Sequence, residues 1–140
     1  MLLRWPAAAA SVLALAGSVA CGSVTGPSRS AALGQPFDLR VGETVGIEDQ
    51  LLALTFDAVT SDSRCPMGVL CIRAGDATLA LTAVRLPDHR QSLGLGTGDW
   101  QPEAATVQDF TVRLVQLSPP RRLDAAPAPS DYVATLVVSR

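Results

Sequence analysis

The chain contains no lysine, a single histidine (His89), and few aromatic (4%) or charged (17%) residues. Its eleven basic residues are all arginine and face thirteen Asp and Glu, giving a net charge of −2. No basic surplus exists to neutralise a phosphate backbone, which argues against a nucleic-acid partner. One His and three Cys leave little material for acid–base, redox or metal chemistry. No Gly-x-Ser-x-Gly occurs to carry an activated serine. What the chain does have is apolar residues, 48% of its 140 positions. That fraction is too high for a disordered chain, and the length suits one domain.

The N-terminus predicts export. Arg4 supplies a positive end, Trp5 to Ala16 is uncharged and rich in Ala, Leu and Val, and Gly17, Ser18, Val19 and Ala20 are small. A secretory signal needs such a charged start, a short apolar run and small residues at the cleavage site. The apolar run is too short for a membrane span, which takes roughly 20 apolar residues. Ser18-Val19-Ala20-Cys21 resembles a bacterial lipobox, with Ser18 standing where Leu is commoner. That resemblance implies cleavage before Cys21 and acylation of its thiol, so that the membrane is a partner through N-terminal lipid. In a diderm host it also implies the periplasmic face of the outer membrane, because Gly22 is not the Asp associated with inner-membrane retention. The alternative is an ordinary secretory signal cleaved after Ala20, with Cys21 left as a thiol.

Removing residues 1–20 leaves ten arginines against thirteen acids, a net charge of −3. Five aromatics remain: Phe37, Phe56, Trp100, Phe110 and Tyr132. With Cys21 acylated, Cys65 and Cys71 are an even pair in an exported chain, and they read as a disulfide. Residues 21–35, rich in Gly, Ser, Ala and Pro, read as a flexible tether that reaches roughly 20 Å.

Residues 36–140 carry period-two alternation and are expected to form one β domain. Phe37, Leu39 and Val41 alternate with Asp38 and Arg40, and the same two-residue spacing recurs in Val45 and Ile47, Leu52 to Ala58, Ala77 to Ala83, Phe110 to Leu114, and Tyr132 to Val138. Alternation puts one set of side chains on a buried face and the other toward solvent. Val84 and Leu86 break the frame of Leu79 and Leu81, and Val115 and Leu117 break that of Phe110 to Leu114. A β-bulge in each strand accounts for such a switch. Ala104 to Val107 reads as a short turn, Gly94 to Gly98 as a glycine-rich hairpin tip, and Arg121 to Ser130 as a long loop. The prediction is an all-β domain, an antiparallel β-sandwich (Ig-like or a related Greek key) of about six to eight strands; a small β-barrel is the alternative.

The most distinctive segment is Ser61 to Ala77, which joins two strong strand candidates. A Cys65–Cys71 bridge would close a seven-residue loop, worth roughly 2–2.5 kcal/mol by chain entropy. The five-residue gap is not the Cys-x-x-Cys of redox exchange. The only further soft metal ligands are Met67 and His89. No metal and no cofactor is therefore expected. Arg64 and Asp62 suit the holding of loop backbone groups, since Arg offers five donors in a planar fork. A ligand or partner site on the same loop is the competing reading, with Asp62, Arg64, Arg73 and Asp76 as candidate residues. Trp100 is a candidate surface anchor.

This segment resembles an uncharacterised domain of bacterial secreted proteins and lipoproteins. Its signature runs Asp-Ser-Arg-Cys-Pro, a short gap, then Cys-Val-Trp-Ala-Gly, a small polar or acidic residue and Ala. Asp62 to Pro66, Cys71, Ala74, Gly75 and Ala77 match, and the likeness extends loosely over Phe37 to Val138. Arg73 stands where the signature has Trp. The resemblance implies an exported domain and carries no established activity.

The expected function is a non-catalytic binding or structural module of the cell envelope, with an envelope protein or a small molecule as its partner. One alternative is an envelope hydrolase using Asp57, Asp62 or Asp76, since paired carboxylates can cleave a glycoside. Another is an inhibitor of a secreted protease or lysozyme, which rests on fold-level analogy alone. The poverty of His, free Cys and convergent acids argues against the enzyme.

Overall fold

The computed structural model describes residues 29–98 and 100–140. The expected signal, Cys21 and most of the expected tether lie outside the described residues, as does Asp99. Nine strands follow in chain order: β1 (Ser30–Ala31), β2 (Phe37–Arg40), β3 (Thr44–Ile47), β4 (Leu52–Asp62), β5 (Ala77–Arg85), β6 (His89–Gly96), β7 (Ala104–Val107), β8 (Phe110–Ser118) and β9 (Val133–Ser139). A 3-10 turn at Pro129–Asp131 precedes the last strand. One sheet has the order β1-β3-β4-β5-β6 and the other β2-β9-β8-β7. All pairings are antiparallel except that of β1 with β3.

The alternating residues explain why these segments are strands. In β4, Leu52, Leu54 and Phe56 are fully buried; in β5, so are Ala77, Leu79, Leu81 and Ala83. The second sheet answers with Leu39, Phe110, Val112, Ala134, Leu136 and Val138, and the two inner faces share one core. Fully burying a side chain the size of Leu or Phe contributes about 1.5–3 kcal/mol. The architecture is a β-sandwich, and among the described residues no sheet closes into a barrel.

Several local expectations are corrected. Ala104–Val107 is a strand and not a turn, with Val107 buried. The glycine-rich segment expected as a hairpin tip is mostly strand: Gly94, Leu95 and Gly96 are the last residues of β6, and Leu95 is fully buried. The polar segment Pro87-Asp88-His89-Arg90 reads in sequence as a turn, but His89 and Arg90 already begin that strand. The bulge expected in β5 at Val84 and Leu86 is absent. β5 pairs with β6 without interruption from Thr78 to Arg85, whereas β4 shifts register at Phe56/Ala58 and again at Val59/Ser61. The bulge expected after Leu114 is present, between Leu114 and Gln116, and it turns Leu117 inward while Val115 stays exposed. The domain also starts earlier than residue 36. Ser30 and Ala31 pair with Gly46 and Ile47, Leu33 packs on the core, and the Gly34 N–H donates to the Val138 carbonyl at 2.8 Å.

The strand directions bring five segments together at one end of the sandwich. β4 ends there at Asp62, β5 starts at Ala77, β6 ends at Gly96, β8 ends at Ser118 and β9 starts at Val133. The long connection 63–76 crosses this end. At the other end the guanidinium groups of Arg85 and Arg140 lie over the Phe110 ring, 5.3 and 5.1 Å from its centroid, and both reach Asp109.

Candidate functional site

The 63–76 connection begins as a continuation of the β4–β5 hairpin. Ser63 N–H donates to the Asp76 carbonyl at 2.7 Å, and Cys65 N–H to the Ala74 carbonyl at 2.6 Å. Gly75 makes this narrow ladder possible: its φ is +73°, and a Cβ there would collide with the Ser63 carbonyl. Beyond the ladder, Cys65 and Cys71 are joined by the expected disulfide, which closes the tip of the loop.

Arg64 fastens the base of the loop to the opposite sheet. Its Nε and Nη2 donate to the two carboxylate oxygens of Asp62, each at 2.8 Å, in the bidentate geometry that guanidinium and carboxylate favour. Its Nη1 donates to the Leu117 carbonyl at 2.8 Å and Nη2 also reaches the Pro119 carbonyl at 2.9 Å. The Tyr132 hydroxyl donates to Asp62 Oδ2 at 2.9 Å. Burial raises the Asp62 pKa, but the hydrogen bonds from Arg64 and Tyr132 outweigh it and hold the carboxyl below its ordinary value. Bonding to Asp62 pushes the Arg64 pKa up, and burial together with the same carboxylate pushes the Tyr132 phenol up. The Met67 N–H donates to the Arg121 carbonyl at 2.9 Å, so the 119–128 segment lies against the loop as well.

Asp76 is also committed inward. It is 7% exposed, and its Oδ1 accepts from the backbone N–H and the hydroxyl of Thr97 at 2.8 and 3.1 Å. Asp57, by contrast, is exposed on β4 and accepts from Thr82. The three acids therefore do not converge. Of the four residues expected as a binding loop, Asp62, Arg64 and Asp76 hold the scaffold, and Arg73 alone is presented outward. Arg73 meets Trp100, the expected surface anchor, with its guanidinium carbon 5.8 Å from the ring centroid. Arg73, Ala74, Gly75, Thr97, Gly98 and Trp100 line an open cleft of about 400 Å³ between the loop and the end of β6.

Sequence reasoning missed the most exposed feature of this end. Leu70 and Ile72 are fully exposed (103% and 105%), and Met67, Trp100 and Leu123 are largely so. The available signal was the apolar run Met67-Gly68-Val69-Leu70-Cys71-Ile72, which has no period and lies between two strands. Met67 and His89, the two spare soft ligands, are at opposite ends of the sandwich, because His89 pairs with Arg85 at the far hairpin. Among the described residues no three His, Cys, Asp or Glu side chains come close enough to share a metal ion. Compared with protein-family models, curated proteins and solved structures, the chain finds no match.

Proposed function

We propose that the protein is a lipid-anchored module of the bacterial cell envelope, exported by residues 1–20, acylated at Cys21, and acting by binding without catalysis. Its binding face is the disulfide end of the sandwich. The observation that carries this reading is the contrast within the 62–76 loop. Its Asp62, Arg64 and Asp76 side chains are engaged in an internal network, while Leu70 and Ile72 stand fully in solvent. A loop pre-ordered in this way loses little conformational entropy on engaging a partner. The likeness of Asp62 to Ala77 to an exported-domain signature supports the same address.

The hydrolase reading is less well supported. A general acid needs a raised pKa, and Asp62 is held low by the donors around it. The Asp76 carboxylate is occupied by Thr97.

Two measurements test the proposal. Metabolic labelling with a radioactive fatty acid should mark the wild-type protein; Cys21→Ala should abolish the label, and globomycin should leave it on a longer precursor that keeps residues 1–20. Persisting label after Cys21→Ala would overturn the anchor. For the binding face, a photo-crosslinking amino acid replaces Ile72 or, at the far hairpin, Asp88 in intact cells. Adducts should form from position 72 and not from 88; equal yields would remove the disulfide end from the model.

A further inference from the structure

We infer that the partner of the disulfide end is the lipid bilayer itself, whose headgroup boundary receives the Met67–Ile72 tip. This rests on the reading of that end as the binding face, and it names the occupant. Four observations carry it.

The first is the chemistry of the surface. Scattered exposed apolar residues are ordinary, but Met67, Leu70, Ile72, Trp100 and Leu123 come from three segments gathered at one end. The second is the collar behind them. Arg73 stacks on Trp100, and Arg121 and Arg122 lie on the adjoining segment, Arg122 with Asp124 3.9 Å away. Tryptophan and arginine are the side chains that settle at the level of lipid headgroups, apolar body inward and polar part wet. The carboxylates of Asp62 and Asp76, which anionic headgroups would repel, are turned into the protein.

The third is rigidity. The tip is closed by the disulfide, and its base is tied by Arg64 to Leu117 and Pro119, so the apolar side chains project from a fixed base. The fourth is reach. Eight peptide units separate Cys21 from Arg29, a distance of at most about 28 Å when fully extended. Arg29 immediately precedes β1, which runs parallel to β3 and opposite to β4, so the N-terminal side of β1 faces the end where β4 reaches Asp62. A lipid on Cys21 at that distance is compatible with the tip meeting the same bilayer.

The test uses the full chain as the cell processes it, reconstituted in vesicles of phosphatidylethanolamine and phosphatidylglycerol. Trp100 is the only tryptophan after residue 20, which makes its fluorescence a reporter for the tip. Phosphatidylcholine brominated near the headgroup is added as the quencher, and Trp100→Phe supplies the background. Wild-type emission should be quenched. The double substitution Leu70→Asp, Ile72→Asp should lower the inserted-to-free ratio by about tenfold or more, as the loss of two buried apolar side chains implies. Both positions are fully exposed, so the variant should keep its far-UV circular dichroism and its protected disulfide. Unquenched wild-type Trp100, or equal quenching in both proteins, overturns the inference. If quenching is absent while the crosslinker at position 72 captures a protein, the lipid is the wrong occupant and the binding face stands. If both are absent, the two readings fail together.

Discussion

The Tyr132 hydroxyl lies 2.9 Å from Asp62 Oδ2 and joins the start of β9 to the end of β4 across 70 positions of sequence. Arg64 completes the join from the other side of the same carboxylate. These three side chains make the disulfide end a cross-sheet clamp. The loop they hold projects from a fixed base.

Arg64→Ala should be the most damaging single change in this end. It leaves the Leu117 and Pro119 carbonyls without their donor and a mostly buried Asp62 without its cation. The expected loss is about 2–4 kcal/mol, a fall in Tm of roughly 10 °C or more for a domain of this size. Arg64→Lys should recover only part of it, because an ammonium lacks the planar fork that serves a carboxylate and two carbonyls at once. Urea denaturation of the three proteins measures the order. Equal stability of wild type and Arg64→Ala would show that the clamp does not hold the fold.

The clamp also sets a pH dependence with a definite sign. The Asp62 pKa is depressed in the folded protein. Its contribution is therefore complete above the unfolded value of about 3.9 and is lost as pH falls through the lower native value. Tyr132→Phe removes one of the donors responsible and brings the native pKa back toward the ordinary value. The stability difference between wild type and Tyr132→Phe should be constant above about pH 5 and shrink below pH 4. Denaturation midpoints collected from pH 7 to pH 2.5 test this. A difference that stays constant through that range would place the role of the tyrosine in packing alone.

Much of the sandwich was legible because burial on one face imposes period two, and Leu52-Leu54-Phe56 and Ala77-Leu79-Leu81-Ala83 display it plainly. Other strands were not legible, for physical reasons. β6 buries only its second half, so its exposed start at His89 and Arg90 read as part of the polar turn Pro87 to Arg90. β1 is two residues long and is held by pairing with β3, with no pattern of its own. The bulge expected in β5 rests on Val84 and Leu86, but Val84 is only half-buried on the outer face and Leu86 is exposed beyond the strand. The β4 bulges face Leu79 to Leu81, whose alternation they leave intact. At the site, the disulfide followed from counting cysteines, and the scaffold role of Arg64 from its donor geometry. The Asp62–Tyr132 and Arg73–Trp100 contacts had no local signal, since each depends on which strands end together. An apolar run such as Met67 to Ile72 looks the same in sequence whether it is buried or presented.

Breaking the disulfide should loosen the tip and spare the sandwich. The ladder at Ser63–Asp76 and Cys65–Ala74 and the Arg64 bonds all lie on the sheet side of the bridge. Cys65→Ser with Cys71→Ser should lose about 2 kcal/mol, and amide exchange should accelerate between residues 65 and 73 while the amides of β4 and β5 keep their relative protection. Faster exchange throughout β5 would mean that the bridge supports the core directly.

Gly75 and Gly68 offer a comparison that separates backbone conformation from crowding. Both have positive φ, +73° and +78°, so alanine at either position carries the left-handed penalty of roughly 1 kcal/mol. At Gly68 nothing lies within 4 Å of an added Cβ, and that penalty should be the whole effect. At Gly75 the Cβ would strike the Ser63 carbonyl, which is itself fixed by the hairpin ladder and cannot retreat as a flexible side chain could. Gly75→Ala should therefore cost about 1–3 kcal/mol more than Gly68→Ala, in line with other overpacked sites. It should also release the Cys65 amide to exchange, because the carbonyl of the neighbouring Ala74 must move with residue 75. Paired denaturation curves with exchange read at Cys65 decide the matter. Equal losses at the two glycines would show that the loop base yields freely, and the rigidity attributed to the tip would go with it.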